Sequence, residues 1–196
     1  MVSCSQFCGL SRRVKVLEEA SPGSGSASAT KVWIFEERYT GDESLVVPSP
    51  SRGTDGFATR SFTTTVHAHD DVAVGFTGDP DAHGAFANIC IHIPGTFLID
   101  ASSPCDNGGM HQIVLWGVED GLIVAHGSTE SAPVVENPTA RAVTRSQVHG
   151  CVQVSTAPAT FNIRHYIQIA DNAALGRIST IGEHDVFSMI RITQIA

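Results

Sequence analysis

Phe161-Asn-Ile-Arg-His-Tyr-Ile-Gln-Ile-Ala170 is the stretch that decides the fold. Phe161, Ile163, His165, Ile167 and Ile169 alternate with Asn162, Arg164, Tyr166 and Gln168. A period of two over about nine residues marks a strand with one buried face. A loop marked by Gly176 and Gly182 separates it from a second run of strand character, Asp185 to Thr193. The spacing predicts a terminal strand hairpin tied into a sheet, and therefore an all-β chain.

Working outward, the same pattern recurs. Thr59 to Val66 is rich in β-branched residues. In Ala85 to Ile93, Ile89, Ile91 and Ile93 share one face, with Cys90 and His92 opposite. Pro94-Gly95 turns the chain into Thr96 to Ala101. Met110 to Trp116, Leu122 to Ala125 and Gln147 to Val154 add further strands. About eight strands at this spacing predict a sandwich or barrel. From Phe57 onward no segment carries a helical apolar stripe.

The first 57 residues read differently. Ser21 to Thr30 is a flexible linker by its Ser, Gly and Ala content. Lys31 to Tyr39 reads as an aromatic-containing strand. Val46 to Gly53 is an extended connector, because its prolines remove donors and bias their neighbours away from helix. The expected division is an N-terminal attachment arm over 1–57, with the linker at 21–30, and a compact head over 58–196.

Composition narrows the function. The 196-residue chain carries a net charge of -8, with Lys15 and Lys31 as its lysines, so a nucleic-acid backbone is not an expected partner. No run of about 18 apolar residues is present, so no membrane helix is expected. The opening Met1-Val-Ser-Cys-Ser-Gln-Phe-Cys8 lacks the basic and apolar regions of a secretory signal, and none is expected. Cys4, Cys8, Cys90, Cys105 and Cys151 are irregularly spaced with no Cys-x-x-Cys pair. Two readings stay open: free thiols of a reducing cytoplasm, or intersubunit disulfides made by Cys4 and Cys8 in an oxidising medium.

Candidate chemistry is sparse. His67 and His69 lie at alternate positions, with Asp70 and Asp71 beside them and a third ligand from His92 or from the same loop of a symmetry mate. They form a weak metal candidate against a solvated loop, and no metal or other cofactor is expected. Asp79, Asp81 and His83 lack the ligand repeat of a calcium loop. No Gly-x-Ser-x-Gly elbow occurs. His149 and Cys151 share a strand face opposite Val148, Val152 and Val154, which points away from a buried thiol-base pair. His165 reads as a core or interface histidine, and Trp33 and Trp116 as packing residues. No enzymatic activity is expected.

The order of the short signatures resembles a β-domain at the C-termini of tailed-bacteriophage fibre and decoration proteins. That domain is similar to the jelly roll of the tumour-necrosis-factor and complement globular-head superfamily. Thr59-Arg-Ser-Phe-Thr-Thr64 resembles its opening Arg-x-Leu-Asn-Thr. Ile93-Pro-Gly-Thr-Phe-Leu-Ile-Asp-Ala101 resembles Leu-Pro-Ala-Gly-Thr-Tyr-x-Ile-x-Ala, one residue shorter. His111-Gln-Ile-Val-Leu115, Phe161-x-Ile-Arg-His-Tyr166 and Val186-Phe-Ser-Met-Ile-Arg-Ile192 resemble later strands of the same domain. The likeness runs over roughly 58–195 and leaves residues 1–57 without a counterpart.

The resemblance implies a jelly-roll sandwich that forms a homotrimer. The last strand fits such a role: Phe187 and Met189 occupy one face, Val186, Ile190 and Ile192 the other. With His165, these are the expected trimer interface. The expected protein is a non-enzymatic structural component of a bacteriophage virion, a decoration or fibre-type protein of capsid, neck or tail. It would be made in the host cytoplasm and fastened to other virion proteins by its arm. The alternative is a receptor-binding tip, whose loops at 70–81 and 104–109 touch a host surface glycan.

Overall fold

The fold is described from a computed structural model, covering residues 30–39, 57–69, 72–81, 84–106, 109–132, 143–168 and 185–195. These residues form eleven strands and no helix: β1 (Lys31–Tyr39), β2 (Phe57–Thr59), β3 (Thr64–Ala68), β4 (Val74–Thr77), β5 (Asn88–Ile91), β6 (Gly95–Asp106), β7 (Gly109–Gly117), β8 (Leu122–Ala132), β9 (Val143–Val154), β10 (Ala159–Ile167) and β11 (Asp185–Gln194). Two antiparallel sheets result. One has the order β3-β1-β11-β6-β9, the other β4-β5-β10-β7-β8 with β2 added against β10. Only β4–β5 and β7–β8 connect neighbours in one sheet. Every other connection between consecutive strands crosses to the opposite sheet, which makes the sandwich a jelly roll.

The two inner faces supply the core. β1, β6, β9 and β11 contribute Trp33, Phe35, Phe97, Ile99, Val148, Val152, Ile190 and Ile192. β5, β7 and β10 contribute Ile89, Ile91, Ile113, Leu115, Phe161 and Ile163. Each such side chain contributes about 1.5–3 kcal/mol on burial. This sum is what holds two twisted sheets face to face.

Two sequence expectations are corrected here. β10 and β11 are not a hairpin: β10 pairs with β2, β5 and β7, whereas β11 pairs with β1 and β6 in the other sheet. Alternation identifies a strand but not its partner. The second correction concerns the boundary at residue 57. β1 lies inside a sheet between β3 and β11, pairs with β11 from Lys31↔Gln194 to Tyr39↔Asp185 with a bulge between Glu36 and Arg38, and buries Trp33 and Phe35. An amphipathic strand with two such aromatics gains more from a sheet than from solvent, so the head begins at Lys31. Residues 1–29 and 40–56, including the linker, Cys4 and Cys8, lie outside the described residues.

The sandwich closes on one side where β8 meets β9. A Cβ at Gly127 would lie 2.5 Å from the Gln147 carbonyl oxygen and 2.7 Å from that of Ile113, so only glycine admits the approach. Ser146 Oγ donates to the Ser128 carbonyl, and the Gln147 N–H donates to Ser128 Oγ at 3.0 Å. On the outer face of the second sheet, the Arg164 guanidinium stacks 3.5 Å from the Trp116 ring centre and 4.0 Å from that of Phe57. Phe57 also packs on Tyr166, which clamps short β2 to β10.

Candidate functional site

Follow the inward-facing residues along each central strand and the chemistry changes at one level. β1 runs Trp33, Phe35, then Glu37. β6 runs Phe97, Ile99, Ala101, then Ser103 and Cys105. β7, read backwards, runs Leu115, Ile113, then His111. β10 runs Phe161, Ile163, then His165. β11 runs Ile192, Ile190, then Ser188, and β9 runs Val152, Val148, then Ser146. All of these are buried, the polar ones included. Antiparallel register brings the six polar ends together (Met189 is opposite Ser102, His165 opposite Ile113, Ala101 opposite Val148), forming a polar layer inside one end of the sandwich.

The layer is a continuous hydrogen-bonded chain. Arg60, which follows β2 and is 1% exposed, forms an ion pair with Glu37. Its Nε donates to Ser188 Oγ at 2.8 Å, and Ser188 Oγ donates to Ser103 Oγ at 3.0 Å. Ser103 Oγ is 3.3 Å from His165 Nδ1, His165 Nε2 is 2.9 Å from His111 Nδ1, and His111 Nε2 is 2.8 Å from Thr144 Oγ1. Arginine has no acceptor, so it sets the direction of the chain. Ser103, having accepted from Ser188, has its hydrogen left for His165 Nδ1. Both imidazoles are thereby assigned the Nε2–H form, His165 donating to His111 and His111 to Thr144.

Electrostatics agree with neutral rings. Burial, the Arg60 cation and the neighbouring His111 hold the His165 imidazole well below its ordinary pKa. Burial likewise depresses His111, with Glu130 acting in the opposite sense. A proton added at His111 Nδ1 would face the Nε2–H of His165.

Cys105 completes the cluster. One ligating atom each from Cys105, His111 and His165 lies within 4.8 Å of the others, and all three residues are buried. Cys105 packs against Ile167. An open groove of about 260 Å³, lined by Met110, His111, Gln112, Thr129, Tyr166 and Ile167 together with Gln168, leads to the surface beside it. Among the described residues this is where three metal-ligating side chains converge.

The residues singled out in the sequence fall elsewhere, with one exception. Ile190 and Ile192 are each 1% exposed and His165 is 0% exposed within one subunit, so a neighbouring copy cannot touch their side chains. Their burial is a correction to the expected trimer interface: the inward face of β11 serves the chain's own core. Met189 does face outward and is 36% exposed. The backbone of Val186 pairs with Arg38, while the side chains of Val186 and Phe187 lie outside the described residues. His67 and His69 are exposed, and His69 packs its edge on Trp33. Asp70, Asp71 and His83 are outside the described residues. His149 faces out and meets Asp100 at 2.7 Å. Cys90, Cys105 and Cys151 are in no disulfide. Phe76, the aromatic of the 70–81 loop, stacks on Phe86 at 5.1 Å.

Of the polar layer, only His165 stood out in the sequence. The signal for the rest was parity: Glu37, Ser103, Cys105, His111 and Ser188 each continue an apolar series at steps of two. A polar residue in that position must be satisfied inside.

The outer face of the first sheet offers a different feature. Val32, Thr193, Leu98 and Cys151 form a row across β1, β11, β6 and β9, by the pairings Val32↔Thr193, Thr193↔Leu98 and Leu98↔Cys151. Leu98 is 38% exposed. The next row, Ile34, Arg191, Asp100 and His149, carries a cation and a carboxylate. Among the described residues no strand lies over this face.

No protein-family model matches the chain, and no curated protein matches it. Solved structures similar to it include murine APRIL, at 10% identity and a TM-score of 0.47 over 85% of this chain and 99% of that one. A tumour-necrosis-factor protein, Eiger from S. frugiperda, is similar at 14% identity and a TM-score of 0.49 over 85% and 93%. A carbohydrate-binding module of the Cellvibrio mixtus lichenase 5A, solved with cellotriose, reaches 11% identity and a TM-score of 0.29 over 83% and 99%. APRIL and Eiger are jelly rolls of the tumour-necrosis-factor superfamily. At such identities the likeness concerns the fold, and the fold itself stands on the strand order above. No helix among the described residues is long and apolar enough to cross a membrane.

Proposed function

We propose that this chain is a non-enzymatic structural protein of a bacteriophage virion, a decoration or fibre-type component of capsid, neck or tail, whose jelly-roll head forms a homotrimer. The segment preceding Lys31 attaches the head to other virion proteins, with Cys4 and Cys8 available for intersubunit disulfides. The head itself is made in the host cytoplasm and needs no cofactor for this role.

One observation carries the trimer: Leu98 and Met189 stand exposed on an outer face that no described strand covers. A row holding Val32, Leu98 and Cys151 beside one holding Arg191 and Asp100 suits an interface in which burial gives affinity and charge fixes register. The neighbours' contacts then fall on Val32, Ile34, Leu98, Cys151 and Met189, and not on Ile190, Ile192 or His165. The virion setting rests on the ordered signatures from Thr59 to Ile192 and their resemblance to phage fibre and decoration domains.

The mass of the full chain in solution tests the first part. Three copies are expected, falling to one in Leu98→Asp. A single-chain mass at all concentrations, unchanged by that substitution, sets the homotrimer aside. Labelled imaging of purified particles tests the second part, and absence of the protein from them sets the virion reading aside.

A further inference from the structure

We propose that Cys105, His111 and His165 form a binding site for one transition-metal ion of the zinc class, inside the polar end of the sandwich. Two imidazole nitrogens and a thiolate are the donor set that borderline-soft ions prefer, and carboxylate-seeking calcium or magnesium would find no oxygen cage here. Three of the four positions of a tetrahedron are provided, the fourth is left for a water, and His111 lines the groove nearest the cluster.

The ligand atoms reach an ion by local side-chain movement of up to about an ångström. His165 Nε2 and His111 Nδ1 stand 2.9 Å apart. A tetrahedral ion with bonds of about 2.0–2.1 Å would hold two nitrogens roughly 3.3–3.4 Å apart, so the pair opens by about half an ångström. Cys105 Sγ closes in from within 4.8 Å. The outer partners are in place: His111 Nε2–H already donates to Thr144, which fixes the ring with its Nδ1 lone pair toward the site.

Proton balance is simple. The Cys105 thiol gives its proton to solvent and becomes the thiolate ligand. His165 moves its proton from Nε2 to Nδ1, where Ser103 Oγ accepts it, since a hydroxyl oxygen has two lone pairs. Nothing is oxidised or reduced. The Glu37–Arg60 pair is internally neutral, so the only new charge is that of the ion and its thiolate.

The test uses the full chain, reduced with a phosphine and stripped of metal, then titrated with Co2+. The expected spectrum has an intense thiolate-to-cobalt charge-transfer band and the strong visible bands of four-coordinate cobalt, saturating at one ion per chain and displaced by Zn2+. The charge-transfer band disappears in Cys105→Ser and persists in Cys151→Ser. Thr144→Val, which leaves all ligands in place, weakens Zn2+ binding at least tenfold. Weak six-coordinate bands with no charge transfer in the folded wild-type chain would overturn the site, as surface histidines such as His67 and His69 give that result. A thiolate band that survives Cys105→Ser but is lost on replacing Cys4 and Cys8 with serine would overturn it equally. The wild-type titration decides the matter even if Cys105→Ser folds poorly.

Discussion

The half of the core around Trp33, Phe97 and Phe161 and the half around Glu37, Ser103 and His165 are built by the same strands, with the same inward parity and similar burial. The first is held by apolar burial and tolerates loss in proportion to volume. The second is a directed hydrogen-bonded chain starting at a cation, in which each member depends on the next. Burial is therefore a poor guide to what a residue contributes. The apolar half gives stability, while the polar half ties one arrangement of six strands together at a desolvation cost.

The largest effect separating the halves is expected at Trp33. Trp33→Ala should cost about 3–5 kcal/mol in chemical denaturation, through lost transfer energy and a cavity. Glu37→Gln leaves the Arg60 charge buried and should cost about 3 kcal/mol, yet the double change Glu37→Met with Arg60→Leu should recover most of it. Recovery on removing both partners would be unique to the polar half. No recovery would show that the pair holds structure beyond its own charges.

Acid should act on the polar half alone. His165 and His111 are held neutral in the folded chain, with pKa values below those of the unfolded chain. The unfolded state then binds more protons, so stability is fully present above about pH 6.5 and is lost as pH falls from there toward the folded values. The slope is up to about 1.4 kcal/mol per pH unit for each histidine. Glu130, Glu37, Arg60 and Cys105 are the other ionisable groups that bear on this pair. Denaturation midpoints of the metal-stripped chain between pH 7 and 5 should fall in the wild type and less steeply in His165→Gln. Parallel slopes would dissociate the histidines from acid sensitivity.

A smaller step is expected at Ser103. Ser103→Ala breaks the chain between Ser188 and His165 and should cost about 1–2 kcal/mol, against less than about 0.5 kcal/mol for Ser102→Ala on the outer face of the same strand. Equal costs would mean that the chain is not continuous.

Much of this architecture was readable in the order of residues. Alternation over 161–167 and 185–193 marked two strands correctly, and the mixture of β-branched residues and turns marked an all-β sandwich. Partner choice was not readable. The nearness of β10 and β11 in sequence suggested a hairpin, but apolar alternation is satisfied by any sheet. Lys31 to Tyr39 was readable as a strand but not as part of the head, because its partner β11 lies more than a hundred residues away. The candidate cluster was readable only as parity: Cys105 continues Phe97, Ile99 and Ala101 by steps of two, and His111 continues Leu115 and Ile113. Taken strand by strand, each looked like an isolated polar ending.

The sequence by itself determined that the chain forms strands and which face each side chain takes, because the pleat is local and its period is two residues. Only the tertiary structure decided that β1 enters the sheet beside β11, and that Glu37, Arg60, Ser188, Ser103, His165 and His111 stand in line. Register between distant strands is fixed by hydrogen-bonded pairing and by how two sheets pack, and neither is written within any one segment.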